Sequence, residues 1–137
     1  THELRVIVQD EITGKSASVA INIQTVQPES YFYLENNNNF NNLTDTSLNF
    51  SAGSESSLMA RLFYFNAASA DDLDFKWYLN NVLTDVSGTK KEIIPLSISS
   101  NLPKGSQISL KLDSINKKAK KDIYQRSSFK TNIFITD

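Results

Sequence analysis

Three carboxylates, Asp71, Asp72 and Asp74, stand just ahead of the chain's only tryptophan, Trp77, in the stretch NAASADDLDFKWYLNN at 66–81. Calcium takes six to eight oxygen ligands, and closely spaced carboxylates in a loop can supply several of them. The spacing matches neither an EF-hand nor a D-x-D-x-D loop, and two adjacent aspartates on an extended strand do not chelate easily together. The preferred reading is therefore a solvated acidic loop with no cofactor, with calcium on Asp71, Asp72 and Asp74 as the metal alternative. Phe75, Trp77 and Leu79 alternate with polar neighbours. They read as the inward face of a strand, with the Trp77 indole filling the core.

A second cluster is cationic: Lys117, Lys118, Lys120 and Lys121, with Arg126 close behind. Such a tip could contact a polyanion, an acidic protein or a glycan. The preferred reading is a solvated loop whose charge keeps an exposed hairpin soluble, and whose lysines neutralise the acidic loop without a metal. Tyr31 and Tyr33 form a further candidate surface for glycan or protein. No aromatic platform interleaves the lysines, so nucleic acid is not expected as a partner. Catalysis is not expected either. His2 is the only histidine, cysteine is absent, and no G-x-S-x-G, P-loop or G-x-G-x-x-G occurs.

The chain has 137 residues, 14 basic and 15 acidic side chains and a formal net charge of −1. That balance provides no global field to draw in nucleic acid or an anionic membrane, and no apolar run is long enough to insert into one. Cysteine-free sequences fit the cytosol and also disulfide-free bacterial surface proteins. Short apolar/polar alternations separated by Gly, Asn, Asp and Ser clusters dominate, which predicts strands at LRVIV, SVAINI, YFYL, SLNF, LMARLFYF, DFKWYL, EIIPLSI, QISLKL and FKTNIFI. Pro95 cannot donate to a ladder, so its strand belongs at a sheet edge or a bulge. In LMARLFYF two faces compete. Phe63, Phe65 and Ala67 are expected inward near its end, with a bulge switching faces from Leu58 and Ala60. The NNNNFNN run at 36–42 is expected to be a mobile loop. Two sequons, at Asn42 and Asn49, would accept glycans on a eukaryotic secretory route.

The first and last hairpins share a pattern. Leu4, Val6 and Val8 match Ile108, Leu110 and Leu112, while Ile21 and Ile23 match Ile133 and Ile135. The second offset is longer because the last hairpin carries the loop DSINKKAKKDIYQRSS. A repeat of about 104 to 112 residues suits an immunoglobulin-like sandwich of roughly seven strands. On this reading the opening THELRVIV is the middle of a strand, and the first hairpin is the last two strands of a preceding copy.

Phe65, Asn66 and Ala67, followed by ASADDLD and then by Phe75, Lys76 and Trp77, resemble one signature of the polycystic kidney disease (PKD) domain and its bacterial surface relatives. Val8, Asp10 and Gly14, between two apolar strands, resemble another. The sequence departs from that family where Asn80, Asn81 and Val82 replace a Gly-Asp-Gly turn, and in its long last hairpin. The resemblance implies an all-β, immunoglobulin-like (PKD-like) antiparallel β-sandwich. Residues 1–26 would be the closing hairpin of a preceding similar module, and residues 27–137 a complete one. The expected function is that of a non-catalytic extracellular or cell-surface module: a stalk, spacer or filament segment of a larger protein. Its partners would be neighbouring modules of the same chain, or another protomer by strand addition. The alternative is a glycan- or protein-binding module using the basic tip.

Overall fold

The computed structural model describes residues 2–24, 26–36, 39–43, 47–86, 90–118 and 125–136, and the side chains of His2, Asn36 and residues 39–42 fall outside that description. Among the described residues eleven strands follow one another: β1 (His2–Gln9), β2 (Ser16–Ile23), β3 (Glu29–Asn36), β4 (Asn39–Leu43), β5 (Ser47–Phe50), β6 (Glu55–Phe63), β7 (Leu73–Leu79), β8 (Val82–Thr84), β9 (Ile93–Ser97), β10 (Gln107–Asn116) and β11 (Arg126–Ile135). A single 3-10 turn, Ala70–Asp72, precedes β7. The protein is an all-β sandwich with a separate hairpin: among the described residues β1 pairs only with β2, while a five-stranded sheet, β5-β11-β10-β7-β8, and a four-stranded sheet, β4-β3-β6-β9, enclose the core. Pairings are antiparallel except that of β5 with β11, where Ser47 to Phe50 run alongside Asn132 to Ile135.

Period-2 alternation explains the core. Leu110 and Leu112 of β10, Ile133 and Ile135 of β11, Leu48 and Phe50 of β5 and Trp77 of β7 meet Phe32, Leu58, Ala60, Ile94 and Leu96 from the opposite sheet. Trp77 is 1% exposed. It stacks on Phe32 at 5.2 Å between ring centroids, and Phe32 meets Phe129 edge-on at 4.8 Å. Phe75 and Leu79 are partly buried and pack against the same cluster. The indole N–H donates to the Lys91 carbonyl at 2.9 Å, so burying the ring leaves no orphaned donor. A hydroxyl pair also links the two sheets, Ser30 Oγ donating to Ser127 Oγ at 2.7 Å.

Two sequence expectations are overturned. Strand β6 keeps one register against β3, from Glu29 opposite Phe63 to Leu34 opposite Leu58, without a bulge. Its faces therefore cannot switch. Leu58 and Ala60 point inward, while Arg61 and Phe63 are exposed. The asparagine-rich run is not simply a loop, because Asn39–Leu43 forms β4 on the edge of β3. Backbone pairing with an existing strand outweighs the weak strand propensity of asparagine there. Pro95 lies on β9, an edge strand, where its missing N–H costs the ladder nothing.

The β7–β8 turn shows how a glycine-free hairpin closes. Asn80 and Asn81 have φ of 49° and 67°. Two left-handed residues in a two-residue loop match the strand twist, and asparagine tolerates that region better than other non-glycine residues. Asn80 also accepts the Ser109 N–H at 2.9 Å, tying the turn to β10.

Candidate functional site

The acidic loop and the lysine tip meet at one end of the sandwich. Asp72 is buried, accepts the Ala68 N–H at 3.1 Å and pairs with Lys118, whose side chain is 74% exposed. The Lys118 hydrogen bond holds the Asp72 carboxyl below its ordinary 3.8, against the opposing effect of burial. The Lys117 N–H donates to the Asp72 carbonyl at 2.9 Å. Asp71 is exposed, and Asp74 is half-buried within β7 opposite Ile115. The three aspartates are thus split between a 3-10 turn and a strand. Among the described residues no group of three or more His, Cys, Asp or Glu is placed to hold a metal ion. Lys120 and Lys121 lie outside the described residues.

Amide side chains complete this corner. Asn116 Nδ2 donates to the Asn66 carbonyl at 2.8 Å and to Gln125 Oε1 at 2.9 Å, while Gln125 Oε1 also accepts the Asn66 N–H at 2.7 Å. Gln125 Nε2 reaches the Tyr64 carbonyl at 3.3 Å. Tyr64 has φ 63°, a conformation that tyrosine rarely adopts, and the surrounding bonds hold it. The corner is a latch joining the β6–β7 loop to the β10–β11 tip. Among the described residues it shows neither a nucleophile beside a base nor an open cation cage.

Tyr31 and Tyr33 lie on the outer face of β3, where they gather partners that sequence reading missed. Phe63 meets Tyr31 edge-on at 5.7 Å, Arg61 lies 4.6 Å over the Tyr33 ring, and Leu43 and Tyr64 complete a shallow cavity of about 220 Å³ with Glu29. Tyr31 donates its hydroxyl to Glu29 at 2.8 Å, and that bond raises the Tyr31 pKa. Only the pairing of β3 with β6 brings these residues together, so spacing along the chain could not reveal the cluster.

A third surface also went unseen in the sequence. On the outer face of β10, Lys111 bonds Asp113 at 2.8 Å and lies 5.1 Å over the Tyr78 ring. Arg126 approaches the same Asp113 oxygen at 4.0 Å. Burial raises the Asp113 carboxyl, but hydrogen bonding by Lys111 and Ser128, with the nearby charges of Lys111 and Arg126, outweighs it and the net shift is downward. Its other oxygen is buried without a hydrogen-bond partner among the described residues. Lys130 stands directly opposite Lys111, and Lys76 opposite Asp113.

The hairpins can be compared pair by pair. In the first, Leu4 faces Ile21, Val6 faces Val19 and Val8 faces Ala17. In the last, Ile108 faces Ile133, Leu110 faces Thr131 and Leu112 faces Phe129. The positions matched by sequence are therefore also matched across the strands. Their surroundings differ: Leu110, Leu112 and Ile133 are fully buried, whereas Leu4, Val6, Val8 and Ile21 are 46–66% exposed. Comparison with known families, curated proteins and solved structures gives no match for the chain.

Proposed function

We propose that this chain is a non-catalytic segment of an extracellular stalk, spacer or filament built from tandem immunoglobulin-like, PKD-like sandwiches. Residues 27–137 make up one unit on this reading, and residues 1–26 are the closing hairpin of another. The observation that carries it is the shared register of β1–β2 and β10–β11, which extends the sequence match from single residues to cross-strand pairs. A register shift of one residue would turn the apolar set to the opposite face, so this agreement is a specific one. The buried Trp77 on β7, behind the F-N-A and acidic-loop stretch, supports the PKD-like resemblance.

An isolated two-stranded hairpin is at best marginally stable in water. An apolar face patterned like that of β10–β11 accordingly suits a place against a sheet such as β3-β6-β9. The sandwich described here already holds its own β10–β11, between β7 and β5. The test is a chain in which residues 27–105 are placed directly ahead of His2. Two sandwiches should form, and the β1–β2 amides should gain hydrogen-exchange protection comparable to that of β10–β11. Unchanged exchange at Val6 and Ile21, with the original sandwich intact, would contradict the tandem reading.

A further inference from the structure

Charge is unevenly divided along this chain. Residues 107–135 carry seven of the 14 Lys and Arg but only two of the 15 Asp and Glu, a net +5 against −6 for the remainder. The excess is not confined to the tip. Cross-strand register sets Lys130 beside Lys111 and Tyr78 in one row, Ser128 beside Asp113 and Lys76 in the next, and Arg126 beside Ile115 and Asp74 beyond. Neighbouring strands lie about 4.8 Å apart, and same-face rows about 7 Å apart. Four cations thus surround one buried carboxylate on a sheet face.

Asp113 engages Lys111 and Arg126. Lys130 faces Lys111 across the strand pair, and like charges directly opposite one another destabilise a sheet. An anion bound over that pair would remove the penalty. Hydroxyl and amide side chains adjoin the cations, with Ser128 and Asn132 flanking Lys130. Leu83, opposite Tyr78 on the edge strand β8, is the face's one large exposed apolar side chain among the described residues, short of the central aromatic cluster that dominates protein interfaces. The face's central aromatic, Tyr78, lies beneath Lys111 and is not free to stack a base. Regularly spaced cations among sugar-compatible donors and acceptors suit a chain of anionic sugars.

We propose that the outer face of β10–β11, centred on Lys111 and Lys130 with Lys76 and Arg126 at its margins, binds a linear polyanionic glycan. The reading is independent of the tandem arrangement, since it uses no feature of β1–β2. It also differs from recognition by the loop tip, because its centre lies within the strands.

Binding is measured with dextran sulfate and polygalacturonate as sulfated and carboxylated probes, neutral dextran as the uncharged control, and duplex DNA as the competing polyanion. Both anionic probes should bind with a strong salt dependence, and neutral dextran should not bind; binding of dextran sulfate alone would restrict the class to sulfated glycans. K76Q/K130Q leaves the Lys111–Asp113 pair in place and should weaken dextran sulfate binding by about tenfold, through the loss of two contacts with a polyanion. R5Q/K15Q, which removes the same charge from the separate β1–β2 hairpin, should change it less than about twofold, as screening weakens charges outside the site. Thermal melting of each variant verifies the fold, and K130Q should melt no lower than the parent. Any of four results would overturn the proposal: dextran sulfate held no better than neutral dextran, equal losses in the two double variants, tighter binding of duplex DNA, or loss confined to K117Q/K120Q/K121Q.

Discussion

At the scale of single residues, Trp77 and Asp72 account for most of what the acidic stretch does. Trp77 is buried against Phe32 and satisfied by the Lys91 carbonyl. Trp77→Ala should cost about 3 to 5 kcal/mol in denaturant unfolding, the usual range for deleting a buried large aromatic side chain. Asp72 behaves as a clamp. Its carboxyl lies below 3.8 because of Lys118, so its contribution is fully present above 3.8 and is lost as pH falls through the lowered folded value. Asp72→Asn should flatten that part of the acid-unfolding profile while leaving stability at pH 5 to 7 reduced. With Lys118 already compensating Asp72, chelation by EDTA should leave the melting temperature unchanged. A fall would revive the calcium reading for this corner. The alternation at Phe75, Trp77 and Leu79 made the indole's place legible in the sequence. The meeting of acidic loop and lysine tip was legible there too, whereas the choice of Asp72 and Lys118 as the pair depended on how a 3-10 turn meets a distant hairpin.

At the scale of strands, alternation was legible wherever one face was apolar, and obscure where pairing alone makes the strand. Strand β4 is built from asparagine, phenylalanine and leucine against the edge of β3, and β8 is only three residues long. Neither has a pattern that stands out from a loop. The direction of Phe63 was missed for a related reason, since a strand with apolar residues on both faces is assigned only by its neighbour's register. The two similar hairpins give a clear contrast. Leu110→Ala in β10 should destabilise the sandwich by about 2 to 5 kcal/mol, while Val6→Ala should leave its unfolding almost unchanged, because only Leu110 is enclosed by the opposite sheet. Native-state hydrogen exchange should likewise find β1–β2 amides far less protected than those of β10–β11. Asp10 still organises the first hairpin's turn. It accepts the Ile12 N–H at 2.9 Å and the Thr13 hydroxyl at 2.7 Å, while Gly14 supplies φ 67°.

For the whole molecule, a near-neutral sum conceals a cationic hairpin on an anionic body. The division itself is a property of one contiguous segment, whereas the gathering of Lys76 with Lys111 and Lys130 depends on which strands become neighbours. The contacts of Ser30 with Ser127 and of Phe32 with Phe129 place the beginnings of β3 and β11 side by side, so Glu29 and Ile135 leave the sandwich at opposite poles. A pull applied at these two points would run along the strands. It would load the parallel β5–β11 ladder in shear, straining its bonds together instead of opening them one at a time. Tension-bearing capacity is thus built into where the sandwich takes up the chain and where it releases it.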